Sequence, residues 1–312
     1  MARSLRIQYP HAFYHVTSRG NERNPVFLSQ RDREKFLSYL ESATERYGAI
    51  VHVYCLMDNH YHLLLETPFG NLSQIMHHIN GAYTTYFNTK RSRSGHLFQG
   101  RYKAILLDAD EYAKELSRYI HLNPVRAGIV ETPDNFEWSS FRYYTIGKEV
   151  PEWLCRKFIL GYFEKRIDRA MKRYRDFVYK MIGKEYKNPL NDIDNPVILG
   201  SQEFIRKVKE QFLGKQPLDR ELPALRNFLN KTSPDQIEEA VDLALASDKR
   251  LARPVKLYIY HRFSGLKLKE IAARFGIGIS GVTQASYRID IKAKKDKKLS
   301  KIIEKIKKDI DV

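Results

Sequence analysis

Two histidines, His60 and His62, flank a single tyrosine at the start of the apolar segment HYHLLLE. On a β-strand, residues i and i+2 point to the same side, so the two imidazoles would project together. Such a pair supplies two ligands for a divalent metal ion, and the remaining ligands must come from elsewhere in the chain. Paired histidines on a strand are also common as hydrogen-bonded core or surface residues, so the pair alone leaves both interpretations open.

Tyr119 and Asn123 form a second candidate pair, within the segment RYIHLNPVRAG at residues 118–128. On a helix, positions i and i+4 share a face, so these two side chains point the same way and His121 is turned aside. Taken alone, the tyrosine would be interpreted as a packing residue and the asparagine as a helix end. The significance of the pair depends on its combination with the histidines.

The elements that would position these residues alternate between strand and helix patterns in the first half of the chain. Asp108 can cap the helix that carries Tyr119, and Pro124 is expected to end that helix near Asn123. Strands are predicted at residues 13–18, 50–57, 60–66 and 102–107, and helices at residues 31–47, 72–88 and 108–123. The order β-α-β-β-α-β, followed by a helix, predicts an α+β, ferredoxin-like domain with an antiparallel sheet.

The second half of the chain is predicted to be helical and to contain a helix-turn-helix. Apolar spacing predicts helices at residues 268–275 and 280–289, on either side of two glycines, although an ordinary helical hairpin would fit the same pattern. Residues 188–196 are turn-rich and have the composition of a linker. We therefore predict a ferredoxin-like domain at residues 1–145, a helical connector and linker at 146–200 and an all-α domain at 201–312.

The composition of the chain favours a nucleic-acid partner. Its 312 residues include 54 Lys and Arg against 37 Asp and Glu, for a formal net charge of +17, and such an excess favours a polyanion. No apolar run approaches the ~20 residues that span a bilayer, so an anionic membrane is the weaker candidate. The two cysteines, Cys55 and Cys155, predict neither a metal site nor a disulfide framework, which fits a reducing cytoplasm.

Four segments, in this order along the chain, resemble the REP-associated tyrosine transposases, which belong with the IS200-like single-tyrosine (HUH) transposases. They are YHVTSRGN at residues 14–21, NHYHLL at 59–64, GHLFQGRYK at 95–103 and RYIHLNPVRAG at 118–128. The resemblance covers roughly residues 8–145 and implies the same ferredoxin-like fold. It implies that His60 and His62 are metal ligands, that Tyr119 is the nucleophile and that Asn123 supplies the third ligand.

The resemblance implies a reaction that cuts and transfers one DNA strand. A tyrosine hydroxyl, with a pKa near ~10, is a poor nucleophile at neutral pH, and a metal ion can neutralise charge that develops on the phosphate. Tyr119 would form a 5′-phosphotyrosine link and release a 3′-hydroxyl, which can reverse the step without ATP. The family implies Mg²⁺ or Mn²⁺, whereas two imidazole ligands alone would favour softer metals.

The resemblance also implies that the substrate is single-stranded DNA folded into imperfect hairpins, and that the protein is bacterial, cytoplasmic and nucleoid-associated. A homodimer built through the nuclease domain is compatible with the family. Each candidate contact to a phosphate or guide base also fits a solvated polar side chain. These candidates are Asn21, Arg23, Arg101, Lys103 and Arg126.

Residues 232–289 resemble the Trp-repressor-like, DNA-binding domain of the replication initiator DnaA, through Arg253-Pro254, residues 268–271 and Phe275-Gly276. The segment that reads the initiator's own DNA box is replaced here by IGISG at 277–281, so the resemblance implies duplex binding beside the hairpin without that specificity. The candidate contacts to duplex DNA are Ser280, Thr283, Gln284 and Arg288.

Two other functions compete with the transposase hypothesis. A DNA-binding regulator of the same fold would bind hairpins and form no covalent adduct. An RNA-binding protein built on the same type of sheet would leave the paired histidines unexplained.

Overall fold

The structure is a computed structural model, and it describes residues 7–147, 149–184, 197–208, 210–211, 233–246, 248–264, 266 and 268–310. The predicted linker at 188–196 lies outside these residues. The chain divides into two compact units, one that extends to Val208 and one formed by the residues that follow. Within the described residues, no helix has both the length and the apolar character needed to cross a membrane.

A five-stranded sheet forms the centre of the first unit, with the strand order β2-β3-β1-β4-β5. Its strands are β1 (Ala12–Arg19), β2 (Ile50–Met57), β3 (His60–Thr67), β4 (Lys103–Leu107) and β5 (Ile198–Leu199). Strand β1 is antiparallel to β3 and β4, and β2 is antiparallel to β3, whereas β5 is parallel to β4. The predicted α+β class and mainly antiparallel sheet are confirmed. Strand β5 was not predicted, because two residues carry no periodic signal.

Helices α1 (Gln30–Tyr47) and α2 (Leu72–Lys90) cover one face of this sheet. The buried Phe36 ring of α1 lies 4.7 Å from the Tyr61 ring of β3 and 5.2 Å from the Tyr83 ring of α2, measured between centroids. Because side chains alternate along a strand, the residues on either side of Tyr61 point to the opposite face. The packing of Tyr61 therefore directs both histidines away from α1 and α2.

Helix α3 (Ala109–Arg126) packs on that opposite face, where Leu116 and Ile120 share a buried core with Leu64 of β3. The predicted end of α3 at Pro124 is wrong, since the helix continues to Arg126. A proline in the last turn interrupts little of the helical hydrogen bonding, and the chain leaves the helix only at Gly128, whose φ of 67° suits glycine.

The predicted cap of α3 is half correct. Asp108 occupies the N-cap position, but its side chain makes no capping hydrogen bond. Its carboxylate instead accepts a hydrogen bond from the Ser201 hydroxyl, at 3.3 Å. The Asp108 side chain therefore links the start of α3 to the segment after β5 and does not stabilise the first turn of α3.

Further helices complete the first unit: α4 (Phe141–Thr145), α5 (Lys157–Gly161), α6 (Ile167–Tyr179) and α7 (Gln202–Val208). The buried residues Phe141 of α4, Ile159 of α5 and Tyr174 of α6 belong to the same core as α3. The region predicted as a helical connector is therefore packed, through α5 and α6, against the helix that carries Tyr119.

The described part of the second unit is helical, with α8 (Pro234–Ala244), α9 (Lys249–Phe263), α10 (Leu268–Phe275), α11 (Ile279–Lys295) and α12 (Lys297–Asp309). The predicted pair of helices around residues 276–278 is confirmed as α10 and α11. Gly276, with φ of 62°, makes the turn between them. Val282 and Ile289 of α11 pack in the core of this unit, which leaves the other side of α11 exposed.

Candidate active site

The two predicted metal ligands lie side by side on β3. Their ring centroids are 5.0 Å apart, with an angle of 78° between the rings. His62 is buried, with 7% of its surface exposed, and His60 is partly buried. Burial lowers the pKa of His60 to about 4 and that of His62 well below its ordinary value. Both imidazoles are therefore neutral at physiological pH and keep a lone pair available for a metal ion.

A third histidine, His15 of β1, belongs to the same cluster. Its Nε2 atom lies 3.0 Å from Nδ1 of His62, and the two rings are nearly parallel, with an interplanar angle of 6°. His15 is 2% exposed, and burial lowers its pKa to about 3. The sequence prediction included His15 in a motif and assigned it no role. The contact arises because β1 and β3 are neighbours, which no spacing along one strand can reveal.

Tyr119 of α3 lies against this cluster. Its ring meets His62 edge-on, with centroids 6.0 Å apart and an interplanar angle of 87°, and meets His15 in the same way at 6.3 Å and 88°. The side chain is 7% exposed. The structure thus brings the predicted nucleophile and one predicted metal ligand together, although their positions are 57 residues apart in the sequence.

Two arginines place positive charge at this site. The guanidinium of Arg126, one of the predicted DNA contacts, lies over the Tyr119 ring, 5.0 Å from its centroid. Arg19 of β1 pairs in register with His60 and was not predicted. After burial and the neighbouring histidines, the positive charges of Arg19 and Arg126 lower the pKa of His62 further. The site therefore favours an anion, such as a phosphodiester group.

The hydrogen bonds of the histidines fit a metal ion held through both Nε2 atoms. His60 Nδ1 lies 2.6 Å from the Asn59 side-chain oxygen and must donate its proton there. If Nδ1 of His62 likewise donates to His15, both rings present an Nε2 lone pair, the usual arrangement of histidine ligands.

The third predicted ligand, Asn123, uses its side-chain nitrogen to donate to the Tyr119 carbonyl oxygen at 2.8 Å. This bond orients the amide and leaves its oxygen as the atom that a metal would take. Among the described residues, no group of three or more His, Cys, Asp or Glu is arranged to hold a metal ion. A site with two histidines and one amide does not require such a group.

The remaining predicted contacts of the first unit lie around the same end of the sheet. Lys103 of β4 pairs with Thr17, which on its other side pairs with His62, so register places Lys103 on the histidine face. Asn21 and Arg23 are exposed in the short turn after β1, where the Asn59 side chain donates to the Arg23 carbonyl at 3.1 Å.

Arg101 lies away from the histidines, in a groove between α2 and the segment that precedes β4. Asn80 and Gly81 of α2 and Phe98 and Tyr102 of that segment also line the groove. Of the predicted contacts of the first unit, Arg126 and Lys103 therefore lie on the histidine face, whereas Asn21 and Arg23 lie in the turn after β1, beside Asn59.

The four predicted duplex contacts are exposed on one side of α11. Ser280, Thr283, Gln284 and Arg288 recur at the spacing of a helix face, opposite the buried Val282. Tyr287 lies among them, is 55% exposed and was not predicted as a contact. Its position three residues after Gln284 and seven after Ser280, the spacing of one helix face, is the sequence signal that groups it with them.

Comparison with known proteins gives a family match for part of the first unit. Residues 8–123 match the model of the IS200-like transposase family, described as "Transposase IS200 like". The matched segment is less than half of the chain, and it contains His60, His62, Tyr119 and Asn123 but not Arg126.

The chain is also similar to a solved structure described as a REP-associated tyrosine transposase bound to a REP hairpin, with 15% identity and a TM-score of 0.41. The similarity covers 50% of this chain and 92% of that one. No curated protein matches the chain significantly.

Proposed function

We propose that this protein is a metal-dependent DNA endonuclease and strand transferase, a transposase that acts on single-stranded DNA hairpins through Tyr119. The observation that carries this proposal is the edge-on placement of the Tyr119 ring against His62, 6.0 Å between centroids, with the Arg126 guanidinium over the same tyrosine. The match of residues 8–123 to the IS200-like transposase family supports it.

In the proposed reaction, the Tyr119 oxygen attacks phosphorus and a new P–O bond forms to the tyrosine. The bond from phosphorus to the 3′ oxygen breaks, the phenol gives up its proton, and the released oxygen takes one up as a 3′-hydroxyl. The product is a 5′-phosphotyrosine link, which the same hydroxyl or another one can attack in strand transfer.

The protein contributes charge and position to this step. Arg126 stabilises negative charge near the attacking oxygen, and a buried site strengthens that interaction because little water screens it. His60, His62 and the Asn123 amide oxygen would hold Mg²⁺ or Mn²⁺. When bound, such an ion polarises the scissile phosphate and neutralises charge on its oxygens.

His15 would hold His62 in the orientation needed for that role. The 3.0 Å contact between their ring nitrogens requires one ring to donate and the other to accept. A ligand that binds through Nε2 needs its proton on Nδ1, so His15 would be the acceptor.

We propose that the second unit binds duplex DNA through the exposed side of α11. Ser280, Thr283, Gln284 and Arg288 offer both hydrogen-bonding and charged groups, and the end of α11 carries Lys292, Lys294 and Lys295. A helix of this kind can enter a major groove, while its basic end contacts phosphates.

Covalent trapping tests the enzymatic proposal. Labelled single-stranded hairpins from the DNA that flanks the gene are incubated with the protein and Mg²⁺ or Mn²⁺, then run on a denaturing gel. We expect an adduct that disappears with chelator and in Tyr119→Phe, which should still bind the hairpin.

Tyr112→Phe is the matched control for trapping, because Tyr112 lies two turns earlier on α3 and packs against the same core. It should form the adduct at the wild-type level. Tight hairpin binding without any adduct would favour the regulator, and preferential binding of a matched RNA hairpin would favour an RNA-binding protein.

A further inference from the structure

His121 of α3 is a fully buried polar residue that the proposed reaction does not use. It follows Tyr119 by two positions, which on a helix turns its side chain away from the histidine site. Its Nδ1 atom lies 2.6 Å from the Tyr174 hydroxyl of α6, and its Nε2 atom lies 2.8 Å from the Ser140 hydroxyl. Both ring nitrogens are therefore engaged, by residues from two other segments.

The hydrogen bonds continue beyond His121 in both directions. On one side, the Tyr174 hydroxyl donates to Ser117 Oγ at 3.1 Å, and the Ser117 hydroxyl donates to the Lys114 carbonyl at 2.6 Å. On the other side, Ser140 Oγ accepts from the Tyr54 backbone N–H at 3.0 Å. With the His121 proton on Nδ1, the Ser140 hydroxyl donates to Nε2 at 2.8 Å rather than to the Tyr54 carbonyl, which is 3.3 Å away and already accepts from the Ser140 backbone N–H. Every group in this hydrogen-bond chain then has a donor or acceptor to match.

Apolar and aromatic side chains surround this chain of hydrogen bonds. The rings of Phe141, Tyr144 and Tyr174 lie 5.4, 5.3 and 5.8 Å from the His121 ring, and all three side chains are fully buried. A polar group that loses its partner there cannot turn to water, so removal of one link leaves its neighbours unsatisfied.

This chain of hydrogen bonds connects α3, which carries Tyr119, to β2, which pairs with the strand of His60 and His62. Ser140 is fixed to β2 in both directions, since its backbone N–H also donates to the Tyr54 carbonyl at 3.0 Å. On β2, Tyr54 pairs with Leu63 and Cys55 pairs with His62 of β3. The hydrogen bonds of His121 therefore fix the rotation of α3 about its axis, and its position along that axis, relative to β2 and β3.

We propose that His121, Tyr174 and Ser140 are positioning residues that set the location of the Tyr119 hydroxyl relative to His60 and His62. The inference rests on the proposed function. It extends the catalytic machinery to α6, which lies outside the matched residues 8–123. Proper placement of reacting groups is worth a large rate factor, and a displacement of about 1 Å can cost ~10²-fold.

Tyr174→Phe tests this role, since it removes one hydroxyl and keeps the ring. Tyr144→Phe is the matched control, because Tyr144 is equally buried in the same core but donates to the backbone oxygen of His52, at 2.8 Å. Three quantities are measured at a temperature where both variants are folded: the adduct rate at saturating hairpin, the hairpin Kd and hydrogen exchange of residues 109–126.

We expect Tyr174→Phe to lower the adduct rate roughly 10- to 100-fold while the hairpin Kd stays within about twofold. Tyr144→Phe should keep both quantities within about threefold of wild type. Exchange of residues 109–126 should be faster in Tyr174→Phe than in Tyr144→Phe. Equal losses in the two variants, or an unchanged rate in Tyr174→Phe, would overturn the proposal.

The test separates this inference from the proposed function. If the wild-type protein forms no adduct, the enzymatic proposal fails, and the exchange comparison still decides whether the chain anchors α3. Equal exchange in the two variants would then overturn the anchoring as well. If Tyr174→Phe does not fold, Ser117→Ala removes the last link of the same chain, and the same three measurements apply.

Discussion

Helices α3 and α11 are both proposed to meet DNA, and they are built in opposite ways. On α3, Tyr119 is 7% exposed, and His121 is fixed at both ring nitrogens. On α11, the proposed contacts are exposed, and only the opposite side is packed. A reacting group must be held by its surroundings, whereas a groove-binding group must be free to reach its partner. Burial thus distinguishes the chemical role from the binding role.

The largest effect that would test this contrast is the loss of His62. His62→Ala should reduce adduct formation at least about 10³-fold, because loss of the metal removes several kcal/mol of charge stabilisation. The rate of the covalent step and the Mn²⁺ affinity of the free protein are measured together. His78→Ala is the control, since His78 lies on α2, across the sheet, and contacts Ser42.

His78→Ala should change neither the adduct rate nor the Mn²⁺ affinity. Unchanged Mn²⁺ affinity in His62→Ala would contradict the assignment of His62 as a ligand, even if the adduct rate fell.

A smaller effect concerns stability and pH in the first unit. Burial lowers the pKa of His121 to about 3, so the folded state keeps this ring neutral while the unfolded chain protonates it below about 6.5. The contribution of His121 to the free energy of unfolding is therefore fully present above that pH and is lost as the pH falls below it. His121 alone should contribute a loss that approaches ~1.4 kcal/mol per pH unit well below pH 6.5, or roughly 1 to 2 kcal/mol between pH 6.5 and 5.

Urea unfolding of wild type and His121→Gln at several pH values measures this contribution. The variant should be less stable at pH 7, and its stability should fall less steeply toward pH 5. His15 acts in the same direction as His121, while the raised pKa of His52 acts in the opposite one. If the free energy of unfolding fell equally steeply with pH in wild type and in His121→Gln, His121 would not be buried in neutral form.

The smallest effect belongs to α11. Arg288→Ala should weaken duplex binding by about three- to tenfold and reduce the slope of log K against log salt by ~1, since one phosphate contact is lost. Cleavage of a hairpin without a duplex flank should be unchanged. Arg274→Ala removes the same charge from a side chain already paired with Glu238, so it should cost less affinity. If Arg274→Ala reduced the slope of log K against log salt by the same amount, Arg288 would have no specific role.

Prediction from sequence succeeded where a single element carries the information. The strand bounds of β2 and the pairing of His60 with His62 follow from local pattern, because alternation fixes which side chains share a face. The order of strands and helices also sufficed for the fold class.

Relations between elements were missed. The contact between His15 and His62, and the register of Arg19 with His60, depend on which strands are neighbours. The position of Arg126 over Tyr119 required α3 to continue past Pro124, which the usual effect of proline argues against. In the first two cases the contact joins residues on different strands, which local periodicity treats as independent. In the third, the i, i+7 spacing places both residues on one face only if the helix continues past Pro124.

The short strand β5 has a consequence for how copies of this protein can associate. An uncovered strand offers a ladder of backbone groups to any second chain. Here the Leu106 and Asp108 N–H groups at the outer side of β4 already donate to Val197 and Leu199 of the same chain, each at 2.8 Å.

Strand β2, at the opposite edge of the sheet, is also covered by its own chain. Its Leu56 N–H donates to the Trp138 carbonyl at 2.8 Å, and its Val51 carbonyl accepts from the Cys155 N–H at 2.9 Å. At these positions the sheet is closed to extension by self-pairing. A second copy would therefore find β4 and these positions of β2 already occupied, so a sheet continuous across two copies could not be built on them.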